Sequence, residues 1–519
     1  MKIKMDTSGN KCETLGLKEI VQNAMASFII TVPGLIQYCL YGVVFYAISY
    51  ICLFTFIFAF VSHFRISLKL LSPLMAISFY NAVLMVSFGR IFGQFDYLAV
   101  INASFHEILV FLRVNIGKGL FLLGATLLFI SYLYCFVFTQ IGLKWIKSPN
   151  QLKRKILLPF IFIALLPFLF SKQQEILASY PFACLSDFII AYKFKEKAST
   201  YPAKFKCDSH GNSKTATEFP AMVLVIGESA RFDAFGFNAN GASTGHSPEM
   251  DSFVKTHPNN SIIFRNYLSV GQSTVPTVLT MLNPIGTDDI MHCFEKPNLL
   301  CVISEAGCPT IVARGQECGF VNEYLGVAER ICDFRDLADK EMLPLLKDEL
   351  NSPSGKILVL HAKGSHVNYY GEGTENYIRS IRATDLFLEE LFEIIIKSKS
   401  PACAWYTSDH GENKDFIHGS GNITLSELEV PSIIVANDTF ISLFHREWNN
   451  MDVRKAFILT HNNLPHTIMG VFKTFPEGYY NPRRDICSDS FVEEKNPLLM
   501  PNNMVPIRYQ SIFGLRIKQ

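Results

Sequence analysis

The sequence predicts an N-terminal α-helical membrane bundle of five spans, followed by an α/β domain built on a mostly parallel sheet. Three observations predict it: long charge-free apolar runs early in the chain, basic residues gathered in alternate loops, and strand-like runs alternating with helix-like ones after residue 220. The 519 residues allow about two to four domains. Lys+Arg total 47 against Asp+Glu 46, so no basic excess recommends nucleic acid as a partner. Hydrophobic residues reach 49% with a mean hydropathy of +0.22, and that excess is concentrated in the first third.

Between Met25 and Ser62 there is no Asp, Glu, Lys or Arg. One helix of that length would extend about 57 Å, against a hydrocarbon core of about 30 Å. The run is therefore read as two spans joined by a turn between Gln37 and Gly42. Further apolar stretches at 71–89, 119–141 and 156–171 complete five spans, the last being short enough to lie tilted or interfacial. Lys2, Lys4, Lys11 and Lys18, then Arg65 and Lys69, then Lys144, Lys147, Lys153, Arg154 and Lys155 all fall on one side of such a bundle. Cytoplasmic loops are enriched in Lys and Arg, which places everything after about residue 172 outside the cytoplasm. A late first apolar run without a small-residue cleavage pattern argues against a removable signal peptide. Most of the 13 cysteines lie beyond the fifth span, and the spacing of Cys293 with Cys301 and of Cys308 with Cys318 suggests short disulfide loops in an oxidising compartment.

The expected organisation is a transmembrane domain at 1–171, an amphipathic segment and polar linker at 172–220, and an exported domain at 221–519. In the last, "MVLVIG", "SIIFRNYLS", "TVLTML", "TIVARG", "KILVLHA", "ACAWYTSDH" and "VPSIIVAN" read as strand-like runs. Helices are expected near 246–256, 335–350 and 374–398.

Several of these runs end in residues suited to chemistry. "MVLVIG" ends in Glu228, "KILVLHA" carries His361 with His366 five residues on, and "AWYTS" leads into Asp409 and His410, with His418 eight residues later. Strand ends of a parallel sheet converge on one edge, so ligands far apart in sequence can meet there. Carboxylates and imidazoles without clustered thiolates suit zinc or manganese. A nucleophile belongs at a helix start near the same edge, where backbone N–H groups hold an anion, and "SVGQSTVPTVLTML" offers Ser273 and Thr274. Taken alone, that stretch also suits a plain N-cap.

The motifs "VIGES-R", "GQST", "LHAKGSH", "SDHGE" followed by "HG", "VPSIIV" and "NNLPHTIMGVF" resemble those of the phosphoethanolamine transferases that decorate lipopolysaccharide in Gram-negative bacteria. The resemblance covers essentially the whole chain. It implies an alkaline-phosphatase-like exported domain held in the periplasm by a multi-pass inner-membrane anchor. It further implies zinc ligands at Glu228, Thr274, Asp409 and His410, with one zinc bound tightly and room for a second. Thr274 would be the nucleophile, and His366 and His418 would contact the phosphoryl group or a second zinc. Asn102 and Glu107 would meet the donor headgroup; His361, at the end of its strand, is a further candidate substrate-binding residue.

The implied reaction moves phosphoethanolamine from phosphatidylethanolamine to Thr274, and then to lipid A or the inner core of lipopolysaccharide. A monomer in the lipid bilayer is the implied working form. The alternatives are phosphoethanolamine or glycerol-phosphate transfer to a periplasmic glycan, and a non-catalytic scaffold that keeps the fold. A sulfatase is disfavoured because "TVPTV" lacks both the modifiable Cys or Ser and the Arg of C-x-P-x-R.

Overall fold

The computed structural model describes residues 181–207, 219–238, 246–352, 355–366, 370–371, 373–413, 423–500 and 507–513. The five expected spans, Asn102, Glu107, most of the 208–220 linker and His418 lie outside the described residues. Among the described residues, no helix is long and apolar enough to cross a membrane.

A seven-stranded sheet organises the exported domain. Its strands are β1 (Ala221–Gly227), β2 (Ser261–Ile263), β4 (Thr310–Arg314), β5 (Arg330–Asp333), β6 (Lys356–His361), β7 (Ala402–Ser408) and β8 (Ser432–Ala436), in the order β2-β8-β7-β1-β6-β4-β5. From β7 across to β5 every pairing is parallel; β8 runs antiparallel to β7, and β2 antiparallel to β8. A separate two-stranded parallel pair joins β3 (Asn266–Leu268) to β9 (Ile458–Thr460).

β1, β6, β7 and β8 are buried along their whole length, which explains why each reads as an unbroken apolar run rather than an alternating one. Alternate β1 residues Val223 and Val225 pack with Leu358, Leu360, Phe387, Leu391 and Phe392 on one face. The long helix Thr374–Lys397 supplies the last three of these from its buried stripe. Apolar periodicity near 3.6 residues makes that stripe, and Lys397 in the last turn suits the helix dipole.

Three expectations change. "SIIFRNYLS" is two strands rather than one, because the backbone changes partner after Phe264: Phe264 N still donates to Ser432 O of β8, whereas Arg265 N donates to Lys455 O. "TVLTML" is helical, within Thr274–Met281. Its threonine hydroxyls bond back to the preceding turn, Thr277 Oγ1 to Ser273 O at 2.9 Å and Thr280 Oγ1 to Pro276 O at 2.8 Å, so these residues can be buried in a helix. The polar stretch after residue 192 stays helical to Phe205, because Phe194, Ala198 and Tyr201 share a buried face. Phe194 packs edge-on against Phe294 at 4.9 Å, and Tyr201 stacks on Tyr324 at 5.0 Å.

Cys301 and Cys308 both stand as thiols, so neither short disulfide loop expected from the spacing is closed. Cys301 Sγ instead faces Phe205 O at 3.3 Å and Asn298 Oδ1 at 3.4 Å.

Candidate active site

β6, β1 and β7 are adjacent, and their carboxyl ends deliver His361, Glu228 and Asp409–His410 to one edge. Close backbone approach makes this possible. A Cβ on Gly227 would lie 2.7 Å from the Tyr406 ring, and Gly364, at φ +50, sits where a Cβ would meet Glu228 N at 2.6 Å. Ser365 N then donates to Glu228 O at 2.8 Å, and Asp409 N to Gly227 O at 3.0 Å, which locks the three strand ends together. Ser229 adopts φ 55, a strained left-handed turn for a non-glycine residue. The turn is held by Tyr377 OH, which donates to Ser229 O at 3.0 Å, and by Ser229 N, which donates to Asp409 Oδ1 at 3.2 Å.

Glu228, Asp409 and His410 are fully buried, and one ligand atom from each lies within 4.8 Å of the others. Glu228 Oε1 accepts from Ser229 Oγ at 2.8 Å and faces His410 Nε2 at 3.2 Å. His410 Nδ1 lies 2.7 Å from Gly411 O, which places its proton on Nδ1 and leaves Nε2 to face the carboxylates. Asp409 Oδ2, though buried, accepts no hydrogen bond among the described residues and faces His410 Nε2 at 3.5 Å.

The electrostatics describe a hole for a cation. Burial, and then the Glu228 charge, push the Asp409 carboxyl well above its usual range. Burial opposes charge on the His410 ring, yet Asp409 and Glu228 outweigh it and raise the pKa to about 10. Two carboxylates out of water with one orphaned oxygen are costly unless a positive ion compensates them. An oxygen and nitrogen donor set of this kind, with the imidazole oriented by a backbone carbonyl, fits zinc.

Thr274 opens its helix beside this group and is half-buried, the most accessible member of the cluster. Its Oγ1 donates to Glu228 Oε2 at 3.1 Å and lies 3.5 Å from His410 Nε2. His361 is fully buried and is held neutral, chiefly by burial, with its pKa lowered to about 4. Its Nε2 lies 2.8 Å from Gln316 Nε2 rather than facing the carboxylates. His366, half-buried, closes the turn after β6, its N donating to Lys363 O at 3.2 Å.

The structure therefore brings Glu228, Asp409, His410 and Thr274 together, sets His361 behind them and puts His366 on the adjoining turn. Sequence reasoning missed Gln316, Ser229 and Tyr377. Gln316 had a readable signal, since it follows "TIVARG", another parallel strand ending on the same edge.

The α/β domain, with its largely parallel sheet and a buried carboxylate–imidazole group beside a hydroxyl at the carboxyl edge, has an alkaline-phosphatase-like fold. Residues 220–474 match the family model described as Sulfatase. It resembles the phosphoethanolamine transferases. The phosphoethanolamine transferase EptA of Helicobacter pylori is 24% identical, over 75% of this chain and 78% of the relative. The integral membrane lipooligosaccharide phosphoethanolamine transferase A of Neisseria meningitidis shares the fold with a TM-score of 0.57 at 16% identity, over 85% of this chain and 90% of that one. The periplasmic domain of EptC from Escherichia coli aligns with a TM-score of 0.50 at 18% identity, over 59% of this chain and 95% of its own.

Proposed function

We propose that the chain is a zinc-dependent phosphoethanolamine transferase of the bacterial inner membrane, anchored by five spans within residues 1–171. A connecting segment at 172–220 would join these to a catalytic domain in the periplasm at 221–519. The donor is phosphatidylethanolamine and the acceptor a lipopolysaccharide, at lipid A or the inner core, with the monomer as the working unit. The observation that carries this reading is the Thr274 hydroxyl, 3.1 Å from Glu228 Oε2 inside the buried Glu228–Asp409–His410 group. The similar proteins from Helicobacter and Neisseria, both described as phosphoethanolamine transferases, favour this transferred group over others.

Glu228, Asp409, His410 and Thr274 would hold the zinc. When bound, zinc supplies positive charge that lowers the pKa of the hydroxyl and offsets charge on the phosphoryl oxygens. The Thr274 proton already points at Glu228 Oε2, which receives it as the oxygen attacks phosphorus. A bond forms from Thr274 Oγ1 to phosphorus while the bond to the diacylglycerol oxygen breaks, and that oxygen takes up a proton. In the second half an acceptor oxygen gives up its proton and attacks the same phosphorus, the bond from phosphorus to Thr274 Oγ1 breaks, and that oxygen takes back the proton held by Glu228. His366 and His418 would carry protons to the leaving group and from the acceptor. Asn102 and Glu107 would meet the donor headgroup, and His361 supports the site from behind.

The test incubates the purified full-length chain with phosphatidylethanolamine and maps the product peptides by mass spectrometry. A phosphoethanolamine adduct on Thr274, with release of diacylglycerol, is expected. A glycerol-phosphate adduct would replace this reading with the glycerol-phosphate alternative, and absence of any adduct would favour the scaffold.

A further inference from the structure

Gln316 is buried at 3% exposure, one residue beyond Gly315, and it belongs to none of the motifs that suggest the activity. Gly315 is where β4 leans on β6: its N donates to His361 O at 2.7 Å, and a Cβ there would lie 2.6 Å from that same oxygen. Only the missing side chain lets the backbone pass so close, and the following residue is thereby carried across His361 toward Glu228.

Gln316 Nε2 sits 3.0 Å from Glu228 Oε2, 3.1 Å from Ala362 O and 2.8 Å from His361 Nε2. A carboxylate oxygen and a peptide carbonyl can only accept, so the amide must present its nitrogen to them and not its oxygen. The orientation is thus fixed by two acceptors independently of the imidazole. The amide has two N–H groups for three acceptors, so His361 Nε2 accepts through a shared hydrogen bond, with the ring proton on Nδ1, which is buried without a hydrogen-bond partner among the described residues. Glu228 Oε2 is shared: Gln316 reaches it from one side and Thr274 Oγ1, at 3.1 Å, from the other.

We infer that Gln316 is a positioning residue for the metal site, holding the Glu228 carboxylate toward Thr274 and keeping the His361 imidazole turned away from the cation. This rests on the reading of Glu228, Asp409 and His410 as ligands. Groups that orient a ligand from behind typically change metal affinity by about 10- to 100-fold when removed. A second consequence follows from the imidazole. Without the amide, nothing fixes its tautomer, and His361 Nε2 becomes free to compete for the ion.

The experiment measures zinc affinity of the full-length protein in detergent by competition with a chromophoric chelator, for wild type, Gln316→Met and Gln316→Ala. Methionine fills nearly the same volume without an N–H, so it separates the hydrogen bonds from packing should the alanine variant fold poorly. Both variants are expected to bind zinc about 10- to 100-fold more weakly, with thermal midpoints near wild type for Gln316→Met. Saturating zinc should restore most of the activity of that variant, which a merely structural defect would not allow. Wild-type affinity in Gln316→Met would overturn the role of Gln316 while leaving the ligand reading intact. A wild-type protein that binds no zinc would overturn both.

Discussion

Thr274 Oγ1 donates a hydrogen bond to Glu228 Oε2 at 3.1 Å, joining the first residue of a helix to the carboxyl end of β1 across 46 positions. A hydroxyl so placed has its proton directed at a base and its oxygen at the half-open side of the cluster. Ser273, the preceding residue, has extended backbone at φ −156, ψ 156, and its carbonyl is tied to Thr277 Oγ1. Ser273 thus precedes the helix, whereas Thr274 is the helix's first residue, with its hydroxyl on Glu228. Thr274→Ala should lower transfer by roughly 10³-fold or more while the protein still folds, whereas Ser273→Ala should cost less than about tenfold. Peptide mapping that found the adduct on Ser273 would sink the assignment.

Metal content separates the ligands from the histidines around them. Glu228→Ala, Asp409→Ala and His410→Ala each remove one side of a fully buried site, so each should reduce zinc retained after dialysis, measured by elemental analysis. His366→Ala and His418→Ala should lower turnover with the tightly bound zinc largely kept. Equal zinc loss in both groups would contradict the division of roles.

How much of this was legible follows from burial. β1, β6 and β7 announce themselves because central parallel strands are apolar throughout, and the polar residue that ends each run is conspicuous. That is why Glu228, His361, Asp409 and His410 can be picked out together. Arg330–Asp333 escaped because a short edge strand with exposed ends has no apolar run to read. "TVLTML" reads as strand-like from its β-branched residues and also as the apolar run after a helix start at Ser273–Thr274, and the chain adopts the helix, with Thr277 and Thr280 bonded back to the preceding turn. Gln316 was overlooked for a different reason: a neutral amide bears no charge or nucleophile to attract notice, and its importance lies in which atoms surround it.

Acid should unfold the domain partly through His466, which is buried in the Leu464–Val471 helix and accepts from Asn481 N at 3.2 Å through Nδ1. Burial, and then the nearby Arg484 charge, lower its pKa from 6.5 to about 3. A depressed folded-state pKa means that the stability is present above the unfolded value and is lost as pH falls from 6.5 toward 3, by up to about 1.4 kcal/mol per pH unit. His466→Gln, which cannot be protonated, should flatten the dependence of the denaturation midpoint on pH between about 6 and 4 by close to one proton. A variant whose profile parallels the wild type would show that His466 is solvated when folded.

The acceptor depends on the rim of the site rather than on its ligands. Relatives of one chemistry differ in acceptor through the segments around a shared site rather than through its ligands. The expectation is a lipopolysaccharide acceptor. Deleting or expressing the gene should then shift the mass of lipopolysaccharide by one phosphoethanolamine, and mild acid cleavage into lipid A and core locates the shift. If the lipid A phosphates are modified, each gains an ammonium group, so surface negative charge falls and resistance to cationic peptides rises. A shift confined to the core should leave the lipid A phosphates, and the charge they contribute, unchanged. Unmodified lipopolysaccharide alongside a modified periplasmic glycan would transfer the assignment to that glycan, with the Thr274 chemistry unaltered.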